Sequence, residues 1–334
     1  MVRIAIDAMG GDDAPQTIID GALAAARHLQ IGLVLVGDGA AIRRELARHR
    51  DAETLDVQVV ESPEVVSMAE SPSAALRRKP QASVRVAVSM VASGGAAAVF
   101  SAGNTGATVM AAHAAFGMIP GAERPALATT IPTRDSAAVL IDIGANAECR
   151  PHHLVQFAAM GTVYARLALG LERPRVGLLS IGEEETKGNE LTREAHRLLK
   201  AGPLRFIGNV EARDLYSGQA DVIVCDGFTG NIALKVSEGL ADMIEELLRE
   251  EVRGSLGGVG AFFSRRAFRR FRHRVDYSEY GGAPLMGVAG LCIVGHGRSS
   301  AKAVHNGVAM AARFAACGLV QRVEHELAAT GVQQ

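Results

Sequence analysis

The sequence has no tryptophan, and aromatic residues make up only 4% of it. A core without large rings is built from small and aliphatic side chains, which lets helices and strands approach closely. Cysteine is scarce as well: Cys149, Cys225, Cys292 and Cys317 lie far apart and form no CxxC pair. That spacing excludes a cysteine-based zinc site or disulfide framework and fits reduced thiols. No run of about 18 apolar residues occurs, so no segment is long enough to span a bilayer. Met1 leads directly into an apolar strand pattern, without the charged start and long apolar stretch of a secretion signal. The formal charge of −1 argues against general nucleic-acid binding.

What is present is a large aliphatic content: 48% hydrophobic residues in 334, enough for a substantial core. Short β-branched runs alternate with helical stretches. Expected strands are 3–6, 33–36, 57–60, 97–100, 127–131, 139–142, 176–180, 204–207, 222–225 and 292–294. Expected helices are 17–29, 40–48, 83–92, 105–115, 154–169, 191–200, 231–251, 299–317 and 320–329. Alternation of this kind predicts an α/β fold: a Rossmann-like, mostly parallel sheet with helices on both faces. In such sheets ligands sit beyond the carboxyl ends of strands. The whole chain, 1–334, is read as a single catalytic unit of two lobes sharing a cleft.

The informative turns all follow strands. Asp226-Gly227-Phe228-Thr229-Gly230-Asn231 follows the run 222–225 and leads into a helix. Free N–H groups and the helix dipole at such a turn favour an anion such as phosphate. Ser101-Ala102-Gly103-Asn104-Thr105-Gly106 repeats the pattern. Asn104 and Thr105 offer donors there, although an ordinary N-cap uses the same residue types. In Asp7-Ala8-Met9-Gly10-Gly11-Asp12, the glycines permit close backbone approach to a ligand. Asp7, Asp12 and Asp13 would repel a bare phosphate unless a cation or donor lay between, and a tight turn is the plain alternative. Asp142-Ile143-Gly144-Ala145-Asn146 is a weaker version.

Two further stretches carry cations. In 181–189, Lys187 and Asn189 can donate to phosphate, with Glu183, Glu184 and Glu185 holding Lys187; a solvated acidic loop is the other reading. In 295–302, His296, Arg298, Ser299, Ser300 and Lys302 gather at a helix start, where arginine can grip phosphate with two parallel bonds. His296 is either functional or a structural imidazole. Gly37-Asp38-Gly39 lacks the third glycine of a dinucleotide fingerprint, because Ile42 occupies it, which counts against a dehydrogenase.

One segment departs from the rest. Residues 252–275 hold seven arginines, four phenylalanines and no acidic residue. Laid on a helix, Phe263, Phe268 and Phe271 share one arc, and Arg265, Arg266, Arg269, Arg270 and Arg272 face away. With Phe262, this makes 252–278 a basic amphipathic projecting element, suited to an anionic surface. The plain alternative packs the phenylalanines on the domain.

At these residues the chain resembles the phosphate acyltransferase family of bacterial phospholipid synthesis, the PlsX family. The matching runs are DAMGGD at 7–12, SAGNTGA at 101–107, GEE with KGNE at 182–190, GNVEARD at 208–214, DVIVCDGFTGN at 221–231, YGGAPLMGV at 280–288 and HGRSS at 296–300. The resemblance implies transfer of a fatty acyl group from acyl carrier protein to inorganic phosphate, giving acyl phosphate. It also implies a fold similar to phosphotransacetylase and the isocitrate dehydrogenase group, and a homodimer. A cytoplasmic location, peripheral to the inner face of an anionic membrane, would hand acyl phosphate to a membrane glycerol-3-phosphate acyltransferase. No cofactor or metal is expected.

On this reading Asn104, Lys187, Asn189, Asn231 and His296 are the candidate catalytic residues. Gly10, Gly11, Ser101, Gly103, Thr105, Gly106, Asp226, Thr229, Gly230, Arg298, Ser299 and Lys302 bind phosphate or substrate. Three rival functions stand beside it. One is an acyl-CoA:phosphate transferase of the phosphotransacetylase type. The others are a non-catalytic membrane adaptor for carrier protein and a nucleotide-dependent dehydrogenase.

Overall fold

A computed structural model of the chain describes residues 1–255 and 281–331. Eleven strands form one sheet: β1 (Arg3–Asp7), β2 (Gly32–Gly37), β3 (Val57–Glu61), β4 (Ala98–Ser101), β5 (Ala126–Pro132), β6 (Ala137–Ile141), β7 (Val176–Ser180), β8 (Phe206–Glu211), β9 (Val222–Val224), β10 (Ala283–Met286) and β11 (Cys292–Val294). Their order is β3-β2-β1-β4-β11-β10-β5-β6-β9-β7-β8. The helices are α1 (Gln16–Leu29), α2 (Gly39–Leu46), α3 (Pro72–Arg78), α4 (Ser83–Ala92), α5 (Thr105–Phe116), α6 (Pro151–Leu169), α7 (Glu190–Ala201), α8 (Gly227–Ser255), α9 (Ala301–Ala316) and α10 (Leu319–Thr330).

The sheet consists of two parallel halves running in opposite directions. Strands β3, β2, β1, β4 and β11 are mutually parallel, as are β6, β9, β7 and β8. Between them β10 pairs antiparallel with both β11 and β5, and β5 pairs antiparallel with β6. These are the two expected lobes. The sequence reading missed β10, because Ala283-Pro284-Leu285-Met286 is short, contains proline and follows two glycines.

Alternate residues of each strand feed two cores. Ile4, Ile6, Leu33, Leu35, Phe100 and Ile293 pack under α1, α6, α9 and α10. Ala5, Val34, Val36, Val99, Leu140 and Ile223 pack under α4, α5 and the start of α8. Burial on both faces explains why these strands read as continuous apolar runs. Small residues allow close contact: a Cβ on Gly21 of α1 would come 2.6 Å from Val304 of α9. No single helix among the described residues is long and apolar enough to cross a membrane.

Of the helix boundaries, those of α8 differ most from expectation. α8 begins at Gly227 rather than 231, because the Asp226 carboxylate caps it: Asp226 Oδ1 accepts from the Thr229 amide (2.8 Å) and Oδ2 from Thr229 Oγ1 (2.8 Å). It also runs to Ser255, so the first residues of the expected 252–278 element are helical. The rest of that element, including Phe262, Phe263, Arg265, Arg266, Phe268, Arg269, Arg270 and Phe271, lies outside the described residues.

Candidate active site

The predicted residues form three groups rather than one. The first lies where β1, β4 and β11, adjacent strands, release their chains. The Asp12 amide donates to Gly297 O (2.9 Å) and the Gly295 amide to Ser101 O (2.8 Å). A Cβ on Gly10 would lie 2.7 Å from Gly103 N, and one on Gly11 3.4 Å from Gly297 O. Gly10, Gly11, Ser101, Gly103, Asn104, Thr105, Gly106, His296, Arg298 and Ser299 are therefore neighbours. Lys302 stands one turn into the adjoining helix α9.

Within this group the Asn104 side chain is fully engaged. Its Oδ1 accepts from the Ala107 amide (3.0 Å) as the N-cap of α5, and its Nδ2 faces the carbonyls of Ser67, Met68 and Glu70 (3.1–3.3 Å). Asn104 thus clamps the 67–70 loop over the turn and has no donor left for an oxyanion. The amides of Thr105 and Gly106, the first two of α5, have no intrahelical acceptor. The cap is a neutral amide, so the positive end of α5 is open to an anion. Ser101 Oγ accepts from the Gly103 amide (3.2 Å) and donates to Asp7 Oδ2 (2.7 Å).

His296 is half-buried, and burial pushes its pKa down, opposed by Glu238. Its Nδ1 accepts from the Arg298 amide (3.2 Å), which leaves the proton of the neutral ring on Nε2. Ser299 Oγ donates to His296 O (2.6 Å), and Arg298 is exposed. Glu238 and Lys235, in the third turn of α8, act on the His296 charge in opposite senses. Lys235 and Glu238 lie 3.5 Å apart. The sequence reading did not single them out, because nothing about a charged pair inside a long helix marks it as acting on a distant imidazole.

The second group lies at the carboxyl ends of β6 and β9. Gly227 donates to Asn146 O (2.8 Å), and a Cβ on Gly144 would meet Asn231 at 3.8 Å. Here the anion position is already filled, since the Asp226 carboxylate occupies the helix end where Thr229, Gly230 and Asn231 were expected to hold phosphate. Eight residues of helix, about 12 Å, separate Gly227 from Lys235. Asn231 is exposed on α8. The third group is Lys187 and Asn189 after β7. Asn189 caps α7 by accepting from the Thr192 amide (2.9 Å). Lys187 is exposed and forms no ion pair with the expected glutamates: Glu185 pairs instead with Lys200.

Two other features are set apart from the chemistry. A cavity of about 730 Å³ lies on the opposite face, lined by Tyr164, Ala309, Met310 and Ala312, and no predicted site residue lines it. Ligand atoms of Glu123, His152 and His153 lie within 4.8 Å of one another. However, His153 Nδ1 accepts from the Arg150 amide (3.0 Å), so its Nε2 carries the proton that faces Glu123 Oε2 (3.3 Å). A neutral ring bonded at both nitrogens has no lone pair for a metal, and the trio ties down the start of α6.

Backbone amides, hydroxyls and one imidazole meet at adjacent strand ends of an α/β sheet, an arrangement suited to an anion. The profile of a family described as "Fatty acid synthesis protein" matches residues 2–322. The chain is 49% identical over 330 residues to a phosphate acyltransferase of Acidobacterium capsulatum, covering 98% of each chain. It is 51% identical over 311 residues to one of Syntrophotalea carbinolica, covering 93% of this chain and 89% of that one. Among solved structures it superposes on a phosphotransacetylase from Streptococcus pyogenes with a TM-score of 0.65 at 17% identity, covering 94% of each. A branched-chain phosphotransacylase from Enterococcus faecalis V583 gives 0.55 at 15% identity, covering 97% of this chain and 99% of that one. The chain belongs to the phosphate acyltransferase family, and is an acyltransferase with the phosphotransacetylase-like fold.

Proposed function

We propose that the protein moves a fatty acyl group from acyl carrier protein to inorganic phosphate, supplying acyl phosphate for phospholipid synthesis. The observation that carries this reading is the neutral-capped start of α5, with the amides of Thr105 and Gly106 lacking an intrahelical acceptor, on the turn whose strand end is bonded to the start of the 295–302 stretch. A phosphate oxygen attacks the thioester carbonyl; the C–O bond forms, the C–S bond breaks and the thiolate leaves. Phosphate is already anionic, and a thiol with a pKa near ~8.5 leaves readily, so strong base catalysis is not required. The protein holds the reactants in line and stabilises the tetrahedral oxyanion. On this reading His296 donates from Nε2 to that oxyanion or to the departing sulfur. Cys225 and Cys292 are buried, and burial pushes the thiol of Cys292 up to about 12, so neither serves as an acyl-accepting nucleophile.

Self-association fits the same molecule. Ile232, Val236, Leu240, Met243 and Leu247 of α8 are each about half exposed or more (48–65%). Their spacing of four, four, three and four residues puts them on one face, and a second copy would cover it. The basic 252–278 element would meet the acidic carrier protein or an anionic membrane. Acyl carrier protein rather than acyl-CoA as donor is read from the family resemblance. Mixing long-chain acyl carrier protein with phosphate and following thiol release and acyl phosphate mass tests the proposal. Equal or faster turnover with acyl-CoA would replace the donor, and no phosphate-dependent thiol release would refute the activity.

A further inference from the structure

Two aspartates end the first strands of the two half-sheets, and they are held very differently. Asp142, beyond β6, accepts from the amides of Leu127, Gly144, Ala145 and Asn146 and from Asn146 Nδ2, at 2.8–3.1 Å. Burial pushes the Asp142 pKa up as well, but these five N–H donors oppose it from both carboxylate oxygens. Asp7, at the end of β1, is only 2% exposed. Its Oδ2 takes the Ser101 hydroxyl (2.7 Å), and its Oδ1 is sealed from solvent and makes no hydrogen bond of ordinary geometry, although Ser83 and the Met9 amide also act on the carboxyl.

Among the described residues no cation is paired with this carboxyl. The charged groups on neighbouring elements are engaged elsewhere: Arg85 of α4 with Leu76 O, His305 of α9 with His28, Asp20 of α1 with His49. Asp12, Arg298 and Lys302, at the nearby strand and helix ends, are exposed. An ion left dry with one oxygen unpaired is far costlier than a neutral acid.

We propose that Asp7 is an un-ionised acid at neutral pH and the positioning residue of the phosphate turn, holding Ser101, and through it the Gly103 amide, so that the amides at the start of α5 are presented to one anion. Burial drives its pKa upward, opposed by Ser83, Ser101 and the Met9 amide. The uncharged form also removes the repulsion that an aspartate below a phosphate site would otherwise exert. The phosphate half of this inference rests on the function proposed above; the protonation half does not.

The test compares the intact protein with Asp7→Asn by urea unfolding between pH 4 and pH 9, and measures the phosphate KM of both and of Asp7→Ala. A folded-state pKa above the ordinary value means that the native state binds more protons than the unfolded chain, so stability falls as pH rises. Relative to Asp7→Asn, the wild type should lose about tenfold in folding constant per pH unit above about pH 4, until Asp7 ionises in the fold. Asp7→Ala should raise the phosphate KM by about tenfold, and the isosteric Asp7→Asn should restore it. A stability difference that does not change with pH overturns the proposal. So does a folded Asp7→Asn with the defect of Asp7→Ala, since charge would then be essential. The unfolding arm needs no substrate, so an absence of phosphate-dependent transfer would refute the function and leave the protonation result standing.

Discussion

Gly10→Ala probes the contact on which the crevice is built. The added Cβ would lie 2.5 Å from Asp7 Oδ2, 2.7 Å from Gly103 N and 3.0 Å from Gly103 Cα. Comfortable contact begins near ~3.5 Å. The β1 and β4 turns must therefore separate by about 1 Å, and the nearest obstacles include backbone, which cannot rotate away. Overpacking of this kind costs about 1–3 kcal/mol. A misplacement of about 1 Å in a reacting geometry can cost roughly 100-fold in rate. Activity should thus fall far more than stability. Gly94→Ala is the control: Gly94 has φ +78 with nothing within 4 Å of a would-be Cβ, and it precedes β4 at the end away from the crevice. Left-handed strain there costs about 1–2 kcal/mol, with no effect on turnover. Thermal melts and phosphate-dependent thiol release on both variants decide the matter. If Gly10→Ala folds and keeps near wild-type turnover, or if Gly94→Ala loses as much activity, the 10–12 and 101–106 turns do not form the reacting site.

Three further outcomes follow from other contacts. Burial would raise the Asp221 pKa, but Arg175 holds it low through its amide (2.7 Å) and two guanidinium bonds (2.8 and 2.9 Å); Asp221→Ala should cost about 1–3 kcal/mol by urea unfolding. This contribution should be present above the ordinary carboxyl pKa and fade as pH falls through the lowered folded value. His296, whose pKa burial depresses, should make the protein less stable as pH drops from 7 to 5, because the unfolded chain takes up the proton first; His296→Asn should flatten that slope in pH-dependent melts. Replacing Phe262, Phe263, Phe268 and Phe271 together by serine should abolish sedimentation with anionic liposomes while sparing turnover on soluble substrate, and unchanged sedimentation would reject membrane docking by this element.

Much of the architecture is legible in the residues themselves. The runs 4–6, 32–37 and 222–224 announce themselves as strands because burial on both faces makes them free of polar side chains. The hidden parts are those that long-range pairing decides. Nothing local in Ala283–Met286 reveals a central antiparallel strand, or that the two halves run oppositely, and so the turns that looked alike could not be sorted into separate groups. The start of α5 was readable from glycines, Asn104 and Thr105 after a strand. That Asn104 holds down the 67–70 loop, and that Lys235 and Glu238 act on His296, depends on residues far away in sequence. Asp226 was itself read as a phosphate or substrate binder, and its carboxylate instead occupies the helix end.

β10 and β11 are the seam of the sheet, yet they come from residues 283–294, after every strand they join. During synthesis on a ribosome, the edges of β4 and β5 have no proper partner until this late stretch emerges. Bare strand edges invite pairing with other chains, and contacts between distant residues form slowly. The nascent polypeptide therefore carries these bare edges until residues 283–294 have been made. Chaperone capture at that stage, rather than stability of the finished enzyme, would set how much of it a cell obtains.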